Sequence, residues 1–94
     1  MASPENEFEH IARFKIEGSL SISEVRSLRS ELLTHLIEND GLEMDLRSVS
    51  ECDIAGIQFI LSAQRTFEIA GKKLILSRMS KAIKEAAIQL RFEP

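Results

Sequence analysis

Ninety-four residues, 44% of them hydrophobic and 29% charged, describe one small globular domain with a single core and no cleft between domains; a chain of this size buries roughly 65% of its unfolded surface. A net charge of −3, a pI near 5.4 and lysines and arginines scattered apart from Lys72-Lys73 exclude a concentrated basic surface, and with no Trp or Tyr present nucleic acid is not an expected partner. One cysteine forms no internal disulfide, no apolar run approaches the ~20 residues that span a bilayer, and the polar, acidic start is unlike a signal peptide, so a cytoplasmic protein without direct membrane insertion is expected.

Residues 1–7 read as a flexible arm and 8–94 as the domain. From Phe8 the even positions are Phe8, His10, Ala12, Phe14 and Ile16, and most odd positions are charged; this period of two marks a strand with one face on the core, broken at Gly18-Ser19. Ser21 and Glu24 have capping-box spacing, and Val25, Leu28, Leu32 and Leu36 follow at helical spacing. This first helix should run to about Asn39 and stop at Gly41, a residue suited to the left-handed conformation of a helix end. Leu42, Met44 and Leu46 alternate as a second strand, and residues 47–52 read as a loop. Asp53 is a good N-cap for a helix to Ala70, before Gly71. Leu74-Ile75-Leu76 reads as a strand covered on both faces. Ser80 starts a third helix whose apolar face holds Ile83, Ala86, Ala87 and Leu90. The order strand-helix-strand-helix-strand-helix predicts an α/β fold, a small, mostly parallel sheet with three helices.

The stretch Asp45-Leu46-Arg47-Ser48-Val49 leading to Asp53-Ile54-Ala55-Gly56, with Glu17-Gly18-Ser19-Leu20-Ser21 before it and Gly71-Lys72-Lys73-Leu74 and Ser80 after it, resembles the STAS domain of bacterial anti-sigma factor antagonists. The resemblance covers Phe14 to about Phe92. It implies signal transduction by protein–protein interaction, with a role in transcription regulation. Phosphorylated members of that family carry Asp, Ser, Ser or Thr, and Gly in this loop, and a kinase-type anti-sigma factor phosphorylates the first serine. Here Ile54 and Ala55 stand at the two hydroxyl positions, so phosphorylation at the usual place is chemically excluded. The family's first hairpin strand and C-terminal elements are expected to be shortened, which leaves an edge through which a homodimer is conceivable.

The expected protein-binding surface comprises Asp53, Ile54, Ala55 and Gly56 with Gln58 and Phe59 of the second helix. At 100° per residue Ala55, Gln58, Ser62 and Arg65 form a polar strip, and Ile54 and Phe59 are expected to rim an exposed apolar patch. Against that stands packing of the flanking apolar residues under neighbouring helices. Gly56 serves either a close approach of a partner or tight helix–sheet packing. Ser48 and Ser50 are candidate modification sites in the loop. Cys52 reads as a small buried apolar residue rather than a redox sensor, and His10, on the apolar face of the first strand, and His35 read as structural. No nucleophile–base set, metal-ligand cluster or phosphate loop is assembled, so neither catalysis nor a cofactor is expected. The partner implied by the resemblance is an anti-sigma factor or a histidine kinase of a signalling operon. The alternative is the ATPase of a membrane transporter, such as a phospholipid transport complex, braced by a small cytoplasmic STAS subunit.

Overall fold

The computed structural model describes residues 10–90. Its elements are β1 (Ile11–Leu20), α1 (Ile22–Glu38), β2 (Gly41–Cys52), α2 (Ile54–Ile69), β3 (Lys73–Ser77) and α3 (Lys81–Gln89), which is the expected order. The strands form one parallel sheet in the order β1-β2-β3. Both crossovers step the same way across the sheet, and right-handed connections then place α1 and α2 side by side on one face. Phe14, Ile16, Leu42, Met44 and Leu46 of the sheet meet Leu32 of α1 and Phe59, Ala63 and Phe67 of α2 in the core. Beside β2, α3 packs Ile83 and Ala86, with Ala87 and Leu90 partly buried against the same cluster.

Several boundaries differ from the sequence reading, each for a physical reason. Phe8, the expected start of the first strand, lies outside the described residues. β1 does not break at Gly18-Ser19: Gly18 adopts φ 76° inside the strand, and the pairing continues to Leu20 opposite Cys52. β2 likewise continues through the expected loop. Its register against β1 slips after Asp45 and again after Val49, and each slip inserts one extra residue. The inward positions of β2 therefore run Leu42, Met44, Leu46, Val49, a spacing that strict alternation does not show. His10 is exposed just ahead of β1, where its backbone N–H donates to Asp40 Oδ2 at 2.9 Å, and is not on the strand's apolar face. His35 is half-buried, its ring centroid 5.1 Å from that of Phe14 and tilted 43° to it.

The stop of α1 is also built differently. Gly41 is not left-handed; it is the first residue of β2, wedged where a Cβ would meet Ile11 and the Lys73 backbone. The last turn of α1 is closed instead by Lys72, whose ammonium donates to the carbonyls of Leu36 (2.6 Å) and Asn39 (2.9 Å). At the other end of α1 the Ser21 hydroxyl donates to the Glu24 carboxylate and caps no amide, so the serine half of the expected capping box is missing. α2 ends in a Schellman arrangement, with Lys72 N–H to Phe67 O at 2.9 Å and Gly71 N–H to Glu68 O at 3.0 Å.

The sheet face away from α1 and α2 carries Arg13, Glu43, Asp45 and Ile75. Ile75 is 42% exposed, so β3 is not covered on both sides as its apolar run suggested. Asp45 is 1% exposed, the one buried charged residue among those described. Its carboxylate accepts from the Arg47 N–H at 3.1 Å and lies 3.4 Å from Arg47 Nε and 3.8 Å from Arg13 Nη2. The Arg47 amide, then the Arg47, Arg13 and Lys15 charges, hold this carboxyl below its ordinary value of 3.8 against the opposing effect of burial. A depressed carboxyl stabilises the fold at pH values above its unfolded pKa, and that contribution disappears as pH falls through the folded value. Asp45→Asn is therefore expected to lower the thermal midpoint at pH 7, and the gap to wild type should close as pH drops below about 3.8. Melting curves of both proteins from pH 7 to 2 measure this directly.

Candidate functional site

The carboxyl ends of β1 and β2 lead into the N-termini of α1 and α2, which therefore open side by side on one edge of the sheet. Aligned peptide dipoles make both ends electropositive. Asp53 answers both: Oδ1 accepts from the Gly56 N–H at 3.0 Å, capping its own helix, and Oδ2 accepts from the Ile22 N–H at 3.2 Å, the first amide of α1. The anion-binding position at this junction is thus filled by a side chain of the chain itself. Among the described residues the strand order β1-β2-β3 reverses nowhere, so these strands form no crevice of the kind in which doubly wound sheets hold their ligands.

The residues expected to bind a partner separate by exposure. Asp53 and Gln58 are exposed, Ile54 is 53% exposed and Ala55 is half-buried. Gly56 and Phe59 are buried. Phe59 does not rim an exposed patch; at 4% exposure it forms the floor of a groove between α1 and α2. It turns inward because Ile57, Phe59, Ile60, Ala63 and Phe67 together make the core face of α2. Gly56 is explained by packing: a Cβ there would overlap the Leu20 carbonyl oxygen and approach Cys52 Sγ to 2.8 Å. Ser48 and Ser50 lie in β2 and not in a loop, Ser48 half-buried opposite Glu17 and Ser50 exposed at the second register slip. Cys52 is half-buried, and burial followed by the Asp53 charge pushes its thiol above the ordinary range, away from a reactive thiolate.

The sequence reading missed the α1 half of the site. A groove of about 250 Å³ runs between the two helices, lined on the α1 side by Ile22, Val25, Arg29 and Leu33 and on the α2 side by Ala55, Gln58, Ser62 and Thr66. Ile22 is 74% exposed, more than Ile54, and the shared Asp53 ties the starts of their two helices together. The available signal was Ile22, Leu33 and Ile37, apolar residues on α1 in excess of those its core stripe needs.

The fold, the capped N-terminus of α2 and the frame of Asp45 to Gly56 place the chain in a known group. The family model described as "Mlab, STAS domain" matches residues 7–93, and the chain belongs to the STAS-domain family. Domains of this family are generally non-catalytic. Comparison with curated protein sequences gave no match. No helix among the described residues is long and apolar enough to cross a membrane.

Gly56→Ala is expected to destabilise the fold by about 1–3 kcal/mol through overpacking, since backbone at Leu20 has nowhere to move. Asp53→Ala should cost about 0.5–2 kcal/mol through the lost cap. Chemical denaturation of the purified variants measures both, and a Gly56→Ala protein as stable as wild type would refute the packing argument.

Proposed function

We propose that this protein is a non-catalytic STAS-domain regulator that acts by binding a kinase-like or signalling protein, with the paired N-termini of α1 and α2 as its contact surface. The observation that carries this reading is the Asp53 bridge, which ties the start of α1, with exposed Ile22 lining a preformed groove, to the start of α2, with exposed Ile54. Exposed apolar side chains beside a rigid polar frame suit protein docking. Membership of the family supports a regulatory role of the anti-sigma antagonist kind. Ile54 and Ala55 carry no hydroxyl, so the contact is not released by phosphorylation at the usual loop position.

A second reading is favoured by that same missing hydroxyl. A subunit that braces the ATPase of a membrane transporter needs a lasting contact and no switch, and an unmodifiable apolar residue at the helix start suits it. Both readings place the partner on the same surface and differ in what the partner does with ATP.

Affinity capture with wild type and Ile54→Asp, partners identified by mass spectrometry, tests the surface. Ile54→Asp puts a charge on an exposed residue that makes no core contact, so folding should persist while a kinase-type or transporter ATPase is lost. Equal recovery by both baits would overturn the site. Incubating the captured pair with labelled ATP then separates the readings. Label on Ser50, exposed at a register slip of β2, supports a kinase-type regulator, and a chain left unlabelled supports the transporter subunit.

A further inference from the structure

Charge on the two helices is sorted by face. On α1, Ile22, Arg26, Arg29, Leu33 and Ile37 recur at helical spacing and share one stripe, while Glu24, Glu31 and Glu38 fall on the opposite flank. Glu24 and Glu31 border a depression shared with Lys15 and Glu17 of β1, well away from α2. On α2, Ile54, Gln58, Ser62, Arg65 and Ile69 form the matching stripe. Its one acidic residue, Glu68, lines a separate depression with Phe67, Lys72 and Leu74. Among the described residues the groove between the helices is lined by one charged residue, Arg29, and by no carboxylate; Arg26 and Arg65 lie outside its lining on the same two exposed stripes, and the two oxygens of Asp53 are engaged by backbone amides. None of these three arginines forms an ion pair among the described residues. Along the same two stripes Leu33, Ile37 and Ile69 are 43%, 79% and 77% exposed.

We infer that the α1–α2 groove seats an acidic amphipathic helix of the partner protein, its apolar edge lying over Phe59 between Ile22 and Leu33 and its carboxylates meeting Arg26, Arg29 and Arg65. The inference rests on the docking surface proposed above and names the chemistry of what docks there. Three features select this occupant. A trough between two side-by-side helices accepts a third helix by ridge-into-groove packing. Cations on both crests, with no acid between them, complement a helix whose apolar edge is flanked by Glu or Asp. The polar wall of Gln58, Ser62 and Thr66 inside the trough fits the polar flank of a peptide, whereas a flat lipid surface would bury those groups unpaired.

The probe is a designed helical peptide roughly five turns long, with leucines on one edge and glutamates flanking them. A second peptide carries lysines in place of the glutamates, and vesicles of phosphatidylcholine with phosphatidylglycerol form the third arm. Fluorescence anisotropy on the full chain is expected to show that the glutamate peptide binds, that added salt weakens it and that the lysine peptide does not bind. The double variant Arg26→Glu/Arg29→Glu alters only exposed side chains, so its melting should match wild type. It should weaken the glutamate peptide roughly tenfold or more and gain binding to the lysine peptide. Equal affinity for both peptides, or a double variant that binds the glutamate peptide like wild type, would overturn the acidic helix. Vesicle binding that depends on the arginines, without peptide binding, would replace it with an anionic membrane surface. If these arms fail while Ile54→Asp still loses the captured ATPase, the docking surface stands and only its proposed occupant falls.

Discussion

One carboxylate organises the exposed end of this molecule. Two helices that start side by side bring two positive dipole ends together, an arrangement that by itself favours separation or capture of an external anion. Asp53 removes both tendencies by accepting from Gly56 on its own helix and from Ile22 on the neighbouring one. The closeness of the two helix starts, and with it the groove that opens behind them, depends on that bridge. Gly56 makes the bridge reachable, because only a residue without a side chain lets α2 settle against the end of β1.

Family membership and residue chemistry pull in different directions at this place. The frame is that of a STAS domain, a family whose phosphorylated members, by the resemblance noted in the sequence, carry serine where this chain has Ile54. In this chain the helix-end position is occupied internally by Asp53, and the residue beside it is a half-exposed isoleucine. Added charge at this junction would meet the Asp53 carboxylate and find the Gly56 and Ile22 amides already engaged. That combination leaves an exposed apolar residue, with no hydroxyl at the usual loop position, beside an internally capped helix start.

Much of the fold could be read from local signals. Asp53 and Ser80 cap their helices as their types suggest, with Ser80 Oγ accepting from Ile83 N–H at 3.3 Å, and the alternation of Leu42, Met44 and Leu46 marks the central strand. What escaped was non-local. The two register slips of β2 shift the phase of the inward residues, so the second half of the strand imitates a loop. The end of α1 is closed by Lys72, more than thirty residues away in the chain, and nothing near Asn39 announces it. Phe59 looked like rim because periodicity places a residue on a helix face without saying what packs over it. The groove needed the tertiary fact that α1 and α2 lie on the same side of the sheet. Asp45 belongs to the segment that carries the family resemblance, yet its burial beneath Arg13 and Arg47 depends on a neighbouring strand.

Both ends of α1 are fixed from outside the helix. Among the described residues of this helix Leu32 alone is fully buried, so its grip on the core is modest. Its first amide is held by Asp53 and its last carbonyls by Lys72, both supplied by segments that follow it in the chain. A helix clamped by later residues gains its fixed ends only after those residues have joined the sheet. During synthesis, α1 would leave the ribosome as a fraying segment with its basic stripe unshielded, and it would become a rigid wall only once the turn after α2 had closed. Maturation of the proposed docking face would thereby be tied to completion of the fold, and a half-made chain would present no competent copy of it.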